Sequence, residues 1–207
     1  MESKKLFLAS FFKDVARLFP EFAGQDIQGK RVTFIPTASI HEKLRFYVGA
    51  DRKALEKIGL IVDELEVSKA SSHEIVAKLR GNDCIFISGG NTFFLLQELQ
   101  RTGADKIIAE EIRAGKLYIG SSAGSVVLSP DIEYIKAMDS CSAAPDLKAF
   151  TALNIVDFYP VPHHTNFPFK KTVEKIIAKY GSELKLYPIS NKQVILVDGD
   201  TVEVKEK

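Results

Sequence analysis

The stretch LYIGSSAGS, residues 117–125, joins an apolar strand to a Gly-x-Ser-x-Gly turn and then to the apolar run 126–128. A serine at such a turn has an exposed hydroxyl, two glycines permit the tight backbone, and the following amides point toward the same space. We interpret the turn as a nucleophile elbow, and the chemistry it implies is acyl transfer by a serine. Ser122 is the candidate nucleophile, with Ser121 and Ser125 as the alternatives.

Short apolar runs and longer amphipathic segments alternate on both sides of this stretch. The short runs are rich in β-branched and aromatic residues and are bounded by turn residues, which is typical of buried strands. The predicted strands are residues 5–9, 31–35, 61–66, 83–87 and 117–119. The longer segments repeat apolar residues at three- and four-residue spacing, which is typical of helices. The predicted helices are residues 11–19, 43–58, 72–79, 92–99 and 106–114.

This alternation predicts an α/β fold, a three-layer sandwich with a mostly parallel sheet. Strands that are linked by crossover helices pair in parallel and leave helices on both faces of the sheet. In such folds the ligand binds beyond the carboxyl ends of the strands. Ser122 follows one of these ends, so the elbow is expected to lie where a ligand site forms.

The chain after the elbow consists of shorter elements. Ser129-Pro130-Asp131 ends the elbow helix and opens a loop region. The later predicted elements are a strand at 155–162, a helix at 169–180 and strands at 185–188, 193–197 and 201–204. Asp198-Gly199, between the last two strands, predicts a hairpin turn. No repeat or linker divides the chain, so residues 1–207 are expected to form one domain.

Composition and charge disfavour several classes of protein. The chain has 28 Lys and Arg against 27 Asp and Glu, and its formal net charge is +1. This balance offers no electrostatic footprint for nucleic acid or for an anionic membrane, and no apolar stretch approaches the roughly 18 residues that span a bilayer. Cys84 and Cys141 lack the neighbours of a metal site or a disulfide framework. We therefore expect a cytoplasmic protein with no nucleic-acid or membrane partner.

A serine nucleophile requires a general base, and the chain contains four histidines. His41 and His73 lie among polar residues at the starts of predicted helices, where a solvated imidazole is expected. His163 and His164 follow the predicted strand 155–162, and a loop in that position can face the elbow. One of these two is predicted to be the base, against the alternative of two surface histidines in a proline-rich loop.

The acid that would orient the base is not fixed by chain order. Several carboxylates lie between the nucleophile and the histidine pair, and triads occur in more than one order along a chain. The candidates are Asp131, Glu133, Asp139, Asp146 and Asp157.

The oxyanion hole has a clearer candidate in the turn Ser88-Gly89-Gly90-Asn91-Thr92. A glycine pair there ends a strand and opens a helix, so backbone amides can approach a developing anion closely. The N–H groups of Gly90 and Ala123 are the expected donors. A nucleotide site is disfavoured, because the turn has neither a Gly-Lys-Ser/Thr ending nor a spaced Gly-x-Gly-x-x-Gly.

Three segments, in order along most of the chain, resemble the peptidase E family of serine peptidases, which includes aspartyl dipeptidases and, more distantly, cyanophycinase. The segments are Ser88-Gly89-Gly90-Asn91-Thr92-Phe93, Tyr118-Ile119-Gly120-Ser121-Ser122-Ala123-Gly124 and Pro162-His163-His164-Thr165-Asn166. They are similar to that family's Gly-Gly-Asn-Thr turn, its elbow and its Pro-His-x-Thr-Asn segment. The resemblance implies Ser122 as nucleophile, His163 rather than His164 as base, and Gly90 with Ala123 as oxyanion donors. It also implies a flavodoxin-like, class I glutamine amidotransferase-like sandwich.

The resemblance also suggests a third catalytic residue and a substrate subsite. Dipeptidase members carry an aspartate shortly after the elbow, and in the matching region of this chain the expected residue is Asp139. Members specific for an N-terminal aspartate carry an arginine after the histidine segment, whereas this chain has Phe167-Pro168-Phe169-Lys170-Lys171, which leaves that specificity open. Lys170 is the expected replacement, receiving a carboxylate as a point charge. Asn91 and Thr165, from the shared motifs, are expected to contact substrate.

The predicted activity is hydrolysis of a dipeptide or short peptide through an acyl-enzyme on Ser122, without a metal or organic cofactor. Two alternatives remain open, a serine esterase of the same fold and a non-catalytic pseudoenzyme or binding protein. A relative of the glutamine amidotransferases would have cysteine at the elbow, where this chain has serine. A homodimer is a further possibility, because the 14 phenylalanines can supply an interface as readily as a core.

Overall fold

Strands and helices alternate along most of the chain in the computed structural model, which describes residues 4–207. The first three residues of the predicted domain lie outside the described part. The strands are β1 Lys5–Ala9, β2 Arg31–Ile35, β3 Ile61–Glu64, β4 Cys84–Ile87, β5 Leu117–Ser121, β6 Tyr159–Val161, β7 Leu186–Pro188, β8 Gln193–Asp198 and β9 Thr201–Glu206. The helices are α1 Phe12–Val15, α2 Phe19–Ala23, α3 Phe46–Lys57, α4 Ser72–Gly81, α5 Thr92–Thr102, α6 Ala104–Arg113, α7 Ala123–Val126 and α8 Lys170–Tyr180.

A seven-stranded sheet lies in the middle of the fold, with the order β3-β2-β4-β5-β1-β8-β9. The strands from β3 to β1 pair in parallel, and β8 and β9 add to this sheet in antiparallel pairing. Asp198 pairs with Thr201 across the turn at Gly199, so the predicted hairpin is confirmed. The short strands β6 and β7 form a separate parallel pair.

Two hydrophobic layers cover the two faces of this sheet. Along β1, Leu6 and Leu8 belong to one core cluster and Phe7 and Ala9 to the other, because successive strand residues point to opposite faces. The first cluster includes buried residues of α4 to α8, and the second includes buried residues of α1 to α3. The predicted three-layer α/β sandwich with a mostly parallel sheet is confirmed.

Two predicted elements differ most from the observed ones, and prolines lie in or beside each. The single helix predicted at 11–19 is divided into α1, a 3-10 turn and α2, with Pro20 in the first turn of α2. Proline is tolerated there because the first N–H groups of a helix have no internal partner. The strand predicted at 155–162 is only Tyr159–Val161, and Pro162, which has no N–H to donate to a ladder, directly follows its last residue.

The carboxyl ends of the central parallel strands meet at one edge of the sheet. Ser10 follows β1, Ser88 follows β4 and Ser122 follows β5. Polar side chains are therefore concentrated at the edge where α/β folds bind ligands. Among the described residues, the helices are all too short or too polar to cross a membrane.

Candidate active site

Ser122 occupies a strained turn between β5 and α7. Its backbone angles are φ 50° and ψ −107°, a region that residues other than glycine seldom adopt. The motif glycines let this turn pack closely. A Cβ at Gly120 would lie 2.7 Å from the backbone of Gly124, and a Cβ at Gly124 would overlap the carbonyl of Ile87. Glycine at both positions therefore allows α7 to approach β4 and β5.

The imidazole of His163 lies against this serine, with 3.0 Å between Ser122 Oγ and His163 Nε2. The ring also stacks on Phe169, with 4.7 Å between ring centroids. Burial lowers the pKa of His163, so the ring is neutral at neutral pH, which is the form that a general base requires. The neighbouring His164 does not line the cavity in front of Ser122. Of the two histidines, His163 is therefore the one that can accept the serine proton.

The other imidazole nitrogen meets an amide instead of a carboxylate. His163 Nδ1 lies 2.8 Å from Asn191 Oδ1 and 3.3 Å from Ser10 Oγ. An amide oxygen only accepts, so Asn191 favours the tautomer with its proton on Nδ1 and leaves Nε2 free for Ser122. Ser10 Oγ accepts the His163 backbone N–H at 2.6 Å and donates to Asn191 Oδ1 at 3.1 Å. These contacts fix the orientation of the ring.

Asp139 is the carboxylate that the sequence predicts beside the imidazole, but it hydrogen-bonds to Thr92 instead. Its Oδ2 accepts from the Thr92 backbone N–H at 2.8 Å and from Thr92 Oγ1 at 2.6 Å, in the first turn of α5. A helix start stabilises a carboxylate, although burial raises the pKa of Asp139 to about 6. The prediction is corrected on this point, because Asn191 occupies the Nδ1 position. Within residues 4–207 the remaining candidate acids do not hydrogen-bond the imidazole either; they are Asp131, Glu133, Asp146 and Asp157.

Sequence reasoning misses both Asn191 and Ser10. Ser10 directly follows β1, and a polar residue after a central parallel strand is a signal that points to it. Asn191 lies in the polar turn before β8, and nothing in that turn distinguishes it from other loop asparagines. A search restricted to carboxylates between the nucleophile and the histidines does not reach either residue.

Gly90 and Ala123 present backbone N–H groups beside the elbow. Gly90 lines the cavity with φ 135°, and a Cβ there would overlap the backbone of Ala38. A Cβ on the preceding Gly89 would lie 3.3 Å from Ser122 Cβ, so this turn packs directly against the nucleophile. Ala123 begins α7, and a first helical N–H has no partner inside its helix. Their assignment as oxyanion donors stays a prediction.

A cavity of about 430 Å³ opens in front of Ser122 and His163, a size that suits a small ligand. Aromatic and other apolar side chains form much of its wall; they are Phe11, Phe46, Tyr47, Met138, Phe167, Pro168 and Phe169. Its charged side chains are the carboxylates of Glu42 and Asp139. In the described part of the chain, no lysine or arginine contributes to this wall.

The three residues predicted to contact substrate have different positions. Asn91 lines the cavity, but its Oδ1 accepts from the Phe94 backbone N–H at 2.9 Å and its Nδ2 donates to Ser140 O at 3.0 Å. Its amide is therefore engaged in capping α5 and holding the loop after Asp139. Thr165 and Lys170 do not line the cavity. Lys170 is exposed at the first residue of α8, and its contact with a substrate carboxylate stays a prediction.

Tyr47 on α3 adds a hydroxyl group to the cavity. Its ring carbon Cε2 lies 3.7 Å from the position of a Cβ on Gly89. Burial and then the charge of Glu42 raise the pKa of Tyr47 to about 12, with Asp139 acting in the same direction and Arg45 opposing it. The hydroxyl is therefore protonated at neutral pH, and the carboxylates make this part of the cavity negative.

Asp51, also on α3, is a buried carboxyl group behind the elbow. Burial raises the pKa of Asp51 to about 7, while hydrogen bonding from Ser121 and from the Lys13 backbone N–H opposes that rise. The Lys13 N–H lies 2.9 Å from Asp51 Oδ1. Asp51 thus connects α3 to the start of α1.

Metal ligation and thiol chemistry are further reactions that histidine, cysteine and acidic side chains can support in proteins. Across residues 4–207, no group of three histidine, cysteine, aspartate or glutamate side chains is placed to hold a metal ion. Cys84 is buried in β4, and burial raises the pKa of its thiol to about 12, which disfavours the reactive thiolate.

Comparisons with known proteins find relatives along almost the whole chain. Residues 6–205 match the family described as Peptidase family S51. A protein of Listeria innocua named "Uncharacterized peptidase Lin0382" is 58% identical over 202 residues, which are 98% of this chain and 96% of that protein. A protein of Nostoc sp. named "Peptidase E" is 31% identical over 170 residues, which are 79% of this chain and 67% of that protein.

Solved structures agree with these matches. A candidate peptidase E from Listeria monocytogenes EGD-e has a TM-score of 0.95 and 55% sequence identity, and the match covers 99% of both chains. A peptidase from an acI-B1 Actinobacterium has a TM-score of 0.72 at 21% identity, covering 99% of this chain and 88% of that one. At that identity, the second likeness concerns the fold alone.

Proposed function

The chain belongs to peptidase family S51 and is a serine-type peptidase, and from this premise we propose that it hydrolyses dipeptides or other short peptides through an acyl-enzyme on Ser122. The observation that carries the proposal is the series of contacts from Ser122 Oγ to His163 Nε2 and from His163 Nδ1 to Asn191 Oδ1, at 3.0 and 2.8 Å. The cavity beside these atoms has room for a few residues of peptide.

The reaction proceeds in two steps. His163 accepts the proton of Ser122 Oγ as the oxygen attacks the scissile carbonyl, and the Gly90 and Ala123 N–H groups stabilise the oxyanion. The C–N bond then breaks, and His163 gives the proton to the leaving amine. A water molecule, deprotonated by His163, then attacks the ester carbon. The bond from this carbon to Ser122 Oγ breaks, the acid product leaves, and His163 returns the proton to Ser122 Oγ. Asn191 keeps Nε2 available in both steps.

Whole-protein mass spectrometry after exposure to a fluorophosphonate tests the nucleophile. We expect one adduct on the wild-type protein and none on Ser122→Ala. His163→Ala should lose most of the labelling, because the serine then has no base. Ser182→Ala, which removes an exposed serine beyond α8, is the matched control and should label like the wild type. An adduct that persists in Ser122→Ala would place the reactive group elsewhere.

Turnover on parallel panels of dipeptides and simple acyl esters tests the substrate class. We expect peptide hydrolysis that is lost in Ser122→Ala by several orders of magnitude, since removing a triad serine leaves only residual catalysis. Ester cleavage without any peptide cleavage would support the esterase instead. A folded protein that neither labels nor turns over substrate would support a binding protein.

A further inference from the structure

The wall of the active-site cavity is unusual in how much aromatic surface it exposes. Phe167 is 94% exposed and Phe46 is 72% exposed, and both line the cavity beside Ser122. Exposed aromatic surface beside a catalytic pair gains free energy when a ligand removes it from water. These two side chains are therefore suited to an apolar group of the substrate.

The charges of the cavity oppose an acidic substrate. Its ionisable wall consists of Glu42, Asp139 and the neutral His163, together with the protonated Tyr47. Arg45 acts electrostatically on Tyr47, but its Nε donates to Ser39 Oγ at 3.2 Å and its side chain does not line the cavity. A carboxylate on the side chain of a substrate's first residue would thus meet carboxylates, whereas its ammonium group would be attracted.

The positions of these groups also orient a peptide. One short segment of the chain carries Glu42, Phe46 and Tyr47. A substrate amine near Glu42 is therefore expected to lie close to the rings of Phe46 and Tyr47. Phe169 stacks on His163, which protonates the leaving amine, and Phe167 precedes Phe169 by two residues in the same cavity wall. The acyl residue of a dipeptide therefore belongs beside Phe46, and the leaving residue beside Phe167.

We propose that this cavity selects dipeptides whose first residue has a free amine and a large apolar side chain, and that it rejects a first-residue aspartate. Phe46 supplies the apolar contact and Glu42 the charge that attracts the amine. The inference rests on the proposed function, because it assigns the substrate class of the same site.

Paired active-site phosphonates test the selectivity without needing peptide turnover. The probes are diphenyl phosphonate analogues of phenylalanine and aspartate, each with a free amine, and an N-acetylated phenylalanine analogue. Second-order rates of Ser122 labelling are measured by mass spectrometry. We expect the phenylalanine probe to react at least about tenfold faster than the aspartate probe, on the scale of discrimination by apolar pockets. It should also react faster than its N-acetylated form.

Two variants with matched controls connect this selectivity to the named residues. Phe46→Ala should reduce the phenylalanine-to-aspartate ratio about tenfold, as for the loss of an apolar pocket contact. The control Leu44→Ala removes a residue that is 71% exposed but does not line the cavity, and it should keep the ratio. Glu42→Gln should abolish the preference for the free amine, whereas the control Glu56→Gln, on the exposed face of α3, should keep it.

The outcomes separate this inference from the proposed function. Equal or faster labelling by the aspartate probe overturns the selectivity, and so does an unchanged ratio in Phe46→Ala. If the simple fluorophosphonate labels Ser122 but neither amino-acid probe does, the reactive serine stands and the substrate class is wrong. If the fluorophosphonate also fails, the proposed function is lost and the inference with it.

Discussion

The contact between His163 and Asn191 determines which tautomer the imidazole adopts and whether a charge lies beside it. A carboxylate beside Nδ1 would favour imidazolium, whereas a neutral amide sets the tautomer without adding a charge. Burial acts in the opposite sense to any such charge and lowers the pKa of His163. The neutral base therefore persists below the usual histidine pKa of 6.5, and activity should decline only as the pH falls through the lowered value.

Asn191→Asp should shift the low-pH decline of activity, the acid limb of the pH profile, to higher pH. The new carboxylate favours imidazolium, so we expect the pKa of His163 to rise by about 1 to 3 units, as for other close opposite charges. The measurement is the pH dependence of kcat/KM, or of fluorophosphonate labelling. Asn191→Ala, which removes the acceptor, should lower kcat on the order of 10²-fold or more by releasing the tautomer.

Asn154→Asp is the matched control for this experiment. Asn154 is exposed and lies outside the site, so the same change of charge there should leave the acid limb in place. An acid limb that is the same in Asn191→Asp and the wild type would mean that Asn191 does not act on the base.

Helix α3 is the element that joins the substrate wall to the elbow. Its first turn carries Phe46 and Tyr47 into the cavity, and its second turn carries Asp51 to the Lys13 N–H at the start of α1. Asp51 Oδ2 lacks a hydrogen-bond partner among the described residues, so its ionised form is poorly solvated in the folded protein. The folded state therefore favours the protonated form of this buried carboxyl group.

Asp51→Asn should make the protein more stable at alkaline pH. The ordinary pKa of this carboxyl is 3.8 and the folded value is about 7, so the folded state binds more protons than the unfolded state between these values. The free energy of unfolding of the wild type consequently falls as the pH rises from about 4 to about 7. An asparagine cannot ionise, and the variant should lose this slope. Thermal unfolding at a series of pH values provides the measurement.

Asp200→Asn, in the exposed turn between β8 and β9, is the control for lost surface charge. The free energy of unfolding of this control should depend on pH as it does in the wild type. If Asp51→Asn also keeps the wild-type slope, Asp51 is not the group that titrates in this window.

At the scale of the whole molecule, aromatic packing on one face of the sheet supports the catalytic edge. Phe86 of β4 stacks on Phe34 with 5.0 Å between centroids and meets Phe12 at 5.3 Å. These rings join two central strands to α1, which begins directly after Ser10 and Phe11. Their packing helps to hold α1, and so the chain directly after Ser10, against the sheet.

Phe86→Ala should destabilise the fold by about 3 to 5 kcal/mol, because truncating a buried phenylalanine leaves a cavity in a close-packed layer. For a chain of this size, that change corresponds to a fall in Tm of roughly 10 °C. Phe167→Ala is the matched control, since its ring is 94% exposed and makes little contribution to the core. Equal Tm values for the two variants would contradict this assignment of the core.

The sequence by itself determined the order of strands and helices, the elbow and the identity of the serine peptidase family. Apolar periodicity reports which residues face a core, and the Gly-x-Ser-x-Gly turn needs glycines for local steric reasons, so both can be recognised without a tertiary structure. Ser122 was also accessible to this reasoning, because it follows a central parallel strand, and His163 was accessible through the Pro-His-x-Thr-Asn segment that resembles the family. The strand before His163, β6, lies outside the seven-stranded sheet, so its approach to Ser122 was not encoded in the strand pattern.

Only the tertiary structure decided which groups surround that pair. Asp139 lies in a loop whose path the periodicity does not describe, and its carboxylate satisfies the start of α5. Asn191 reaches His163 because β7 and β8 bring the turn between them to the imidazole, a contact between residues 28 positions apart. Hydrogen-bond partners across loops depend on where the sheet and helices place the backbone, and no local pattern in the sequence encodes that placement.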